Sequence, residues 1–158
     1  MSFITTEELK SVLYSYQLAE ITESDADIPV MAIAAAIEEM KSYLAPGDQS
    51  QFRDGRKRYD VLAIFSATGI NRNALILELC KSMAVYYVCR LANVDIIQEQ
   101  VKERYDRAIE WLEKVSATGK HKDSPPLNAS LPVLAPLSPE DDASLPFRFG
   151  SRPKFSHE

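Results

Sequence analysis

Two cysteines and two histidines are the side chains most able to do chemistry in this sequence, and their spacing separates them. Cys80 and Cys89 are about 2.5 turns apart if they share a helix, a rise of ~13 Å, so they would face opposite sides. They cannot form a disulfide with each other or share a metal ion, and we expect buried, inert thiols. His121 and His157 do not stand in a metal-ligand pattern.

The carboxylates, serines and glycines give no catalytic pattern either. Adjacent Glu38 and Glu39 diverge by about 100° on a helix and cannot act as a pair on one substrate. Asp141 and Asp142 lie among prolines, where a rigid catalytic geometry is not expected. No serine stands in a nucleophile elbow, and the glycines form no phosphate-binding loop. We therefore expect no enzyme, with no cofactor, no metal site and no small-molecule substrate.

One basic cluster can contact a charged partner. Residues 53–58 read RDGRKR and carry Arg53, Arg56, Lys57 and Arg58 around an Asp-Gly turn. Such a cluster can bind phosphates. It can also be a solvated loop, or pair with an acidic stretch such as residues 20–27 of another subunit. The second interpretation is favoured, and the first stays open.

Composition limits the classes of protein that fit. The chain has 158 residues, enough for one domain or one small domain with an appendage. Its net charge of −5 argues against a dedicated nucleic-acid binder, and two cysteines exclude a disulfide scaffold. Residues 1–6 show no basic region followed by an apolar one, so we expect no secretory signal and a cytoplasmic location.

Residues 1–119 are predicted to form an all-α domain, a small bundle of about four main helices. Thr5 and Glu8 form a capping pair that opens the first helix, whose apolar positions are Leu9, Val12, Leu13 and Tyr16. The second helix begins near Pro29 and ends at residues 46–47. Its apolar stripe is Val30, Ile33, Ile37, Met40 and Leu44. Residues 59–65 fit either a short helix or a strand.

The third and fourth helices complete the predicted bundle. The third begins at an Asn71 cap, runs to about Ala92 and is apolar on nearly all sides, which favours a central or subunit-interface position. Charged residues Glu78, Lys81 and Arg90 argue against a membrane span. For Tyr86 and Tyr87 we expect at least one to meet another subunit or the tail. The fourth helix opens at the capping pair Asp95 and Gln98 and ends near Gly119. Its buried stripe is Ile97, Val101, Tyr105, Ala108, Leu112 and Val115.

Residues 120–158 form a second part, a proline-rich tail. Seven of the nine prolines lie in the last 34 residues, so an extended chain is predicted. Spaced apolar side chains, among them Leu134, Phe147, Phe149 and Phe155, can anchor the tail. The receiving surface can belong to its own domain, a neighbouring subunit or another partner. Plain disorder is the alternative.

Several sequence segments resemble a phage protein family. ERYDRAIEWL at residues 103–112, followed by Gly119 and Lys120, is similar to the C-terminal signature of Mu-like virion morphogenesis proteins of unknown function. FITTEEL at residues 3–9 and SYL at residues 42–44 resemble the same family. SLPVL at 130–134 and FRFGSRPK at 147–154 resemble a long-tailed subgroup in prophages of Bacteroides-type bacteria. Residues 49–69 are longer than the link in Mu-type members.

The resemblance implies a helical head–tail connector or head-completion protein that assembles as a ring, without catalysis. We expect homo-oligomers, contacts with other neck or portal proteins, and transient contact with DNA, in the bacterial cytoplasm and the assembled virion. The expected partner contacts are Arg56, Lys57, Arg58, Leu134, Phe147, Phe149 and Phe155. The alternative is a nucleic-acid-binding accessory protein that uses the basic 53–58 loop.

Overall fold

The computed structural model describes residues 3–45, 57–92 and 99–134. Its α-helices are α1 (Ser15–Ile21), α2 (Asp27–Leu44), α3 (Val61–Ser66), α4 (Ala74–Leu91) and α5 (Glu99–Ser116). Short 3-10 helices lie at Thr6–Ser11, Gly69–Asn71 and Gly119–His121. The all-α prediction is confirmed, with four α-helices of seven residues or more. Over the described ranges, the β-structure is one isolated antiparallel bridge between Tyr59 and Val133.

Helices α2, α4 and α5 pack against one another and enclose the main core. Four members of the predicted α2 stripe, Ile33, Ile37, Met40 and Leu44, are buried there. The prediction for Val30 is wrong, because this side chain is 58% exposed. Near its N-terminus α2 packs against α1 through Ile28 and Ala32, which places Val30 outside the core.

Helix α4 is the central helix of the bundle, and it packs against both α2 and α5. The predicted Asn71 cap is wrong by two residues. Asn73 caps α4, because its Oδ1 accepts hydrogen bonds from the backbone N–H groups of Leu75 (3.0 Å) and Ile76 (3.1 Å). Asn71 instead ends the preceding 3-10 helix, which begins at Gly69.

The predicted first helix is broken in two. The Glu8 carboxylate does accept the Thr5 N–H at 3.0 Å, as the capping pair predicts. However, the segment is a 3-10 helix that buries Leu9, and α1 starts only after an extended Tyr14. Tyr16 is consequently 65% exposed and does not join Leu9 in an apolar stripe.

Of the two structures that the sequence left open for residues 59–65, the structure has the short helix, α3, which follows a single bridge residue. Tyr59 forms the β-bridge, and Asp60 then caps α3, with its Oδ1 accepting the Ala63 N–H at 2.9 Å. In α5 the predicted positions Ala108, Leu112 and Val115 are buried, and Val101 and Tyr105 are half-buried. The capping pair at 95 and 98, with Ile97, lies outside the described residues. None of the described helices has the length and hydropathy of a membrane span.

Candidate functional site

The most distinctive surface feature is an extended stretch of the tail, residues 127–134, called here the docked segment. Prolines 125 and 126 precede it and oppose helix formation. Its first N–H, from Leu127, donates to the Lys114 carbonyl of α5 at 2.9 Å. At its far end the Asp60 N–H donates to the Pro132 carbonyl (2.9 Å), and the Leu134 N–H donates to the Arg58 carbonyl (2.7 Å). The segment therefore spans the surface from α5 to the residues before α3.

Side chains of the docked segment also contribute to the main core. Ala129 and Leu131 are partly buried against it. Tyr59, opposite the segment, is 2% exposed, and its hydroxyl makes no hydrogen bond of normal geometry although it is fully buried. Burial raises the pKa of Tyr59. Leu127, Val133 and Leu134 stay 45%, 52% and 36% exposed, so only part of the apolar surface of the segment is covered.

Two polar side chains tie the docked segment to the helical body. The amide of Asn73 caps α4 through its oxygen, and its nitrogen donates to the Ser130 carbonyl at 3.4 Å. The Lys57 ammonium donates to the side-chain oxygen of Asn128. The Asn73 amide thus serves both the helix N-terminus and the segment, and an exposed lysine of the basic cluster also contacts the segment.

The structure brings three of the seven predicted partner contacts together. Lys57 and Arg58 lie beside the docked segment, and Leu134 pairs with Arg58 through its backbone. Arg58 is half-buried, while Lys57 is exposed. The other four predicted contacts lie outside the described residues: Arg56, Phe147, Phe149 and Phe155.

A glutamate–tyrosine cluster joins the three main helices. Glu39 of α2 accepts the Tyr87 hydroxyl of α4 at 2.9 Å and the Tyr105 hydroxyl of α5 at 2.8 Å, one on each carboxylate oxygen. The ring of Tyr86 stacks on Tyr105 with centroids 4.1 Å apart. The Arg90 guanidinium lies about 6 Å from the rings of Tyr86 and Tyr87. In the described part of the chain, Tyr86 and Tyr87 contact Glu39, Tyr105 and Arg90, and the expectation that one of them meets another subunit or the tail stays a prediction.

The cluster perturbs its own phenols. Burial, reinforced by the Glu39 charge that accepts their hydrogen bonds, raises the pKa of Tyr87 and of Tyr105. Burial and the nearby Glu39 and Glu113 charges also raise the pKa of Tyr43. The phenols of Tyr87 and Tyr105 are therefore protonated donors at neutral pH, which suits a role in holding helices together. Sequence spacing missed the cluster because its members lie on three different helices.

A second ionic contact fixes the N-terminal segment. Arg72, which precedes α4, donates to both carboxylate oxygens of Glu8 at 2.6 and 3.0 Å and to the Phe3 carbonyl at 2.8 Å. These hydrogen bonds hold the pKa of Glu8 down at about 2. Bidentate geometry of this kind is among the stronger charge pairs in proteins.

The thiols and carboxylates of the described part form no converging reactive group. Cys80 and Cys89 are free and buried, as predicted, and burial raises the pKa of Cys80 to about 12. Among the described residues there is no cluster of three histidine, cysteine or carboxylate ligands that could hold a metal ion.

Comparison with known proteins does not assign this chain to a family. No family model, no curated protein and no solved structure matches the chain. The functional interpretation therefore depends on the residues themselves and on the resemblance described above.

The contacts of the docked segment are of the kind that proteins use to bind an extended peptide. Extended segments bind by main-chain hydrogen bonds, while alternate side chains fill pockets. Here the backbone pairs of residues 58–60 supply the first component, and Ala129 and Leu131 supply the second. The body thus holds residues 127–134 by backbone pairing and side-chain burial.

Proposed function

We propose that the chain is a non-enzymatic structural protein of a phage or prophage particle, a head–tail connector or head-completion protein that acts by ring assembly. The observation that carries the proposal is the docked segment: an extended, proline-bounded peptide held on a helical body through backbone pairing. Contacts of this type can link neighbouring subunits. The resemblance of residues 103–112 and 147–154 to virion morphogenesis proteins supplies the biological setting.

Exposed apolar side chains support an assembly role. Leu62 of α3 is 81% exposed, Ile70 in the following 3-10 helix is fully exposed, and Leu75 at the start of α4 is 48% exposed. These positions are close in sequence to Tyr59 and Asn73, which hold the docked segment. Apolar surface of this kind is typical of contacts with other chains when it is contiguous. In this proposal it faces a portal or neck protein.

The proposal is tested by deleting the gene from an inducible prophage that carries it. Loss of infectious particles, with heads and tails accumulating separately in electron micrographs, is the expected result, because a connector joins the two. Full-length protein supplied in trans should restore infectivity. Normal yields of joined particles from the deleted prophage would refute the connector function.

The alternative function, nucleic-acid binding through the basic cluster, makes a different prediction. Binding to nonspecific duplex DNA should then fall steeply as salt rises, because each phosphate contact releases counterions. Lys57 donates to the neutral Asn128 side chain and keeps its positive charge, so the structure does not by itself decide against this alternative. Absence of binding at low salt would eliminate this alternative.

A further inference from the structure

The contacts of the docked segment join residues that are distant in sequence. Leu134 pairs with Arg58, Ser130 with Asn73, and Pro132 with Asp60. None of these contacts requires the two partners to belong to the same molecule. A site that accepts this segment from its own chain presents the same hydrogen bonds and the same pocket to the identical segment of another copy.

The chain leaves α5 through two residues of left-handed conformation. Ala117 is buried and has φ +49°, a left-handed conformation that costs a residue with a Cβ roughly 1–2 kcal/mol. Gly119 also has positive φ, +54°. This turn carries the chain back from the end of α5 so that Leu127 reaches Lys114. These left-handed residues end α5, where the Thr118 N–H donates to the Glu113 carbonyl at 3.0 Å, so the end of the helix stays capped whether the following residues turn back or lead to another copy.

The sequence before the docked segment favours its release from its own body. Pro125 and Pro126 stand directly before the docked segment and restrict it to extended conformations whether or not the loop turns back. The exposed Leu127, Val133 and Leu134 also leave apolar surface on the segment that its own body does not cover. A second copy brought close by exchange can cover these side chains.

We propose that the docked segment exchanges between copies of this chain, so that residues 127–134 of one molecule occupy the site formed by residues 58–60, Asn73 and Lys114 of another. The partner is a second copy. The inference gives a physical route to the proposed assembly and depends on that proposal only for its setting. Exchange is measurable with the purified chain, independently of any virion.

The test uses Arg58 and Leu134, which flank the bridge between Tyr59 and Val133 and share one backbone hydrogen bond. Residues opposite each other in an antiparallel pair have Cα atoms about 4.5–5.5 Å apart, within disulfide range. One full-length chain carries Arg58→Cys and a second carries Leu134→Cys. The two are mixed at high concentration, equilibrated and oxidised, and products are read on a non-reducing gel. The native thiols are buried and do not compete.

The matched control replaces Arg58→Cys by Leu62→Cys in the same mixture. Leu62 is more exposed and lies nearby on α3, but it does not pair with Leu134. Random collision therefore favours the Leu62 pair, whereas exchange favours the Arg58 pair. We expect a severalfold excess of covalent heterodimer with Arg58→Cys, increasing with equilibration time because the segment must leave its own body first.

Equal or smaller yields with Arg58→Cys than with Leu62→Cys would overturn the proposal. If either cysteine variant fails to give the unfolding transition of the parent, a second pair replaces the first. One chain then carries Lys57→Cys, the other carries Asn128→Cys, and a short bis-maleimide joins them. The yield is compared with that of the same control. If cross-linking shows no exchange but deletion of the gene still separates heads from tails, the proposed swap alone is refuted. Exchange without a prophage phenotype would refute the connector function alone.

Discussion

Replacement of Glu39 by Gln tests whether the glutamate–tyrosine cluster holds the three main helices together. The carboxylate accepts one phenol on each oxygen, from Tyr87 at 2.9 Å and from Tyr105 at 2.8 Å. An amide keeps one acceptor oxygen and replaces the other by a donor. One charge-assisted bond is lost and the other becomes neutral.

The expected cost follows from the strength of such bonds. Hydrogen bonds to charged groups contribute about 1.5–3 kcal/mol, and the half-buried position of Glu39 favours the lower end. We therefore expect Glu39→Gln to lower the free energy of unfolding by about 1.5–2 kcal/mol. For a chain of this size the melting temperature should fall by roughly 3–8 °C.

The neighbouring Glu38 provides the matched control. It carries the same charge on the same helix, and its side chain is 71% exposed with a single ion pair to Lys41 at 2.6 Å. An exposed pair of this kind contributes at most about 0.5 kcal/mol, so Glu38→Gln should be nearly neutral. Both variants are compared with the parent by urea unfolding, with the midpoint shifting at constant slope.

Equal effects of the two substitutions would refute this account of the cluster. The interhelical contact would then be due to ring packing, including the 4.1 Å stacking of Tyr86 on Tyr105, and the carboxylate would contribute only overall charge. A double-mutant cycle between Tyr87→Phe and Tyr105→Phe distinguishes these cases further. Because the two phenols share one acceptor, their effects should not add.

Three further predictions concern other parts of the body. The pKa of Glu8 is held at about 2 against 4.5, so the free energy of unfolding should fall by about 1–2 kcal/mol as pH decreases from 4.5 to 2. Arg72→Ala should reduce this dependence in acid unfolding curves, while the Thr5 hydrogen bonds retain part of it. Gly119→Ala should destabilise by about 1 kcal/mol in urea, because φ is +54° and the new Cβ would lie 2.2 Å from a Glu113 oxygen unless that side chain moves. Cys80 should react with a thiol reagent at pH 8 only on unfolding, since burial raises its pKa to about 12; rapid modification of the native chain would contradict this.

Helix positions could be predicted largely from apolar periodicity, and helix ends less well. Periodicity located α2, α4 and the described part of α5, because burial of one face repeats along a helix. The predicted helix ends were wrong where a residue of a local capping pattern also makes contacts with distant parts of the chain. Thr5 and Glu8 satisfy the capping pattern, but the same Glu8 carboxylate also binds Arg72, and the segment forms a 3-10 helix. Asn71 and Asn73 are equally good caps in sequence, and only the fold selects the second.

The site was predictable in its parts and not in its arrangement. The prolines of the tail predicted an extended chain, and its spaced leucine and phenylalanine side chains predicted apolar anchors. The basic cluster was recognised from its charge. That Arg58 and Leu134 lie opposite each other depends on a pairing across about half of the chain, which no local pattern encodes. The Glu39 cluster was missed for the same reason, since its phenols come from α4 and α5.

The contacts that hold the helical body together are separate from the contacts that hold the docked segment. The proposed exchange depends on this separation. Glu39 with its phenols and Glu8 with Arg72 hold the helices and the N-terminal segment without using any residue of the docked segment. Asn73 caps α4 through its oxygen, which stays bonded if its nitrogen releases Ser130. Release of the segment therefore removes the cover of Tyr59 and part of one core edge, while the helix-to-helix contacts persist. The proposed exchange and ring assembly would then need only release of the segment and no global unfolding of the body.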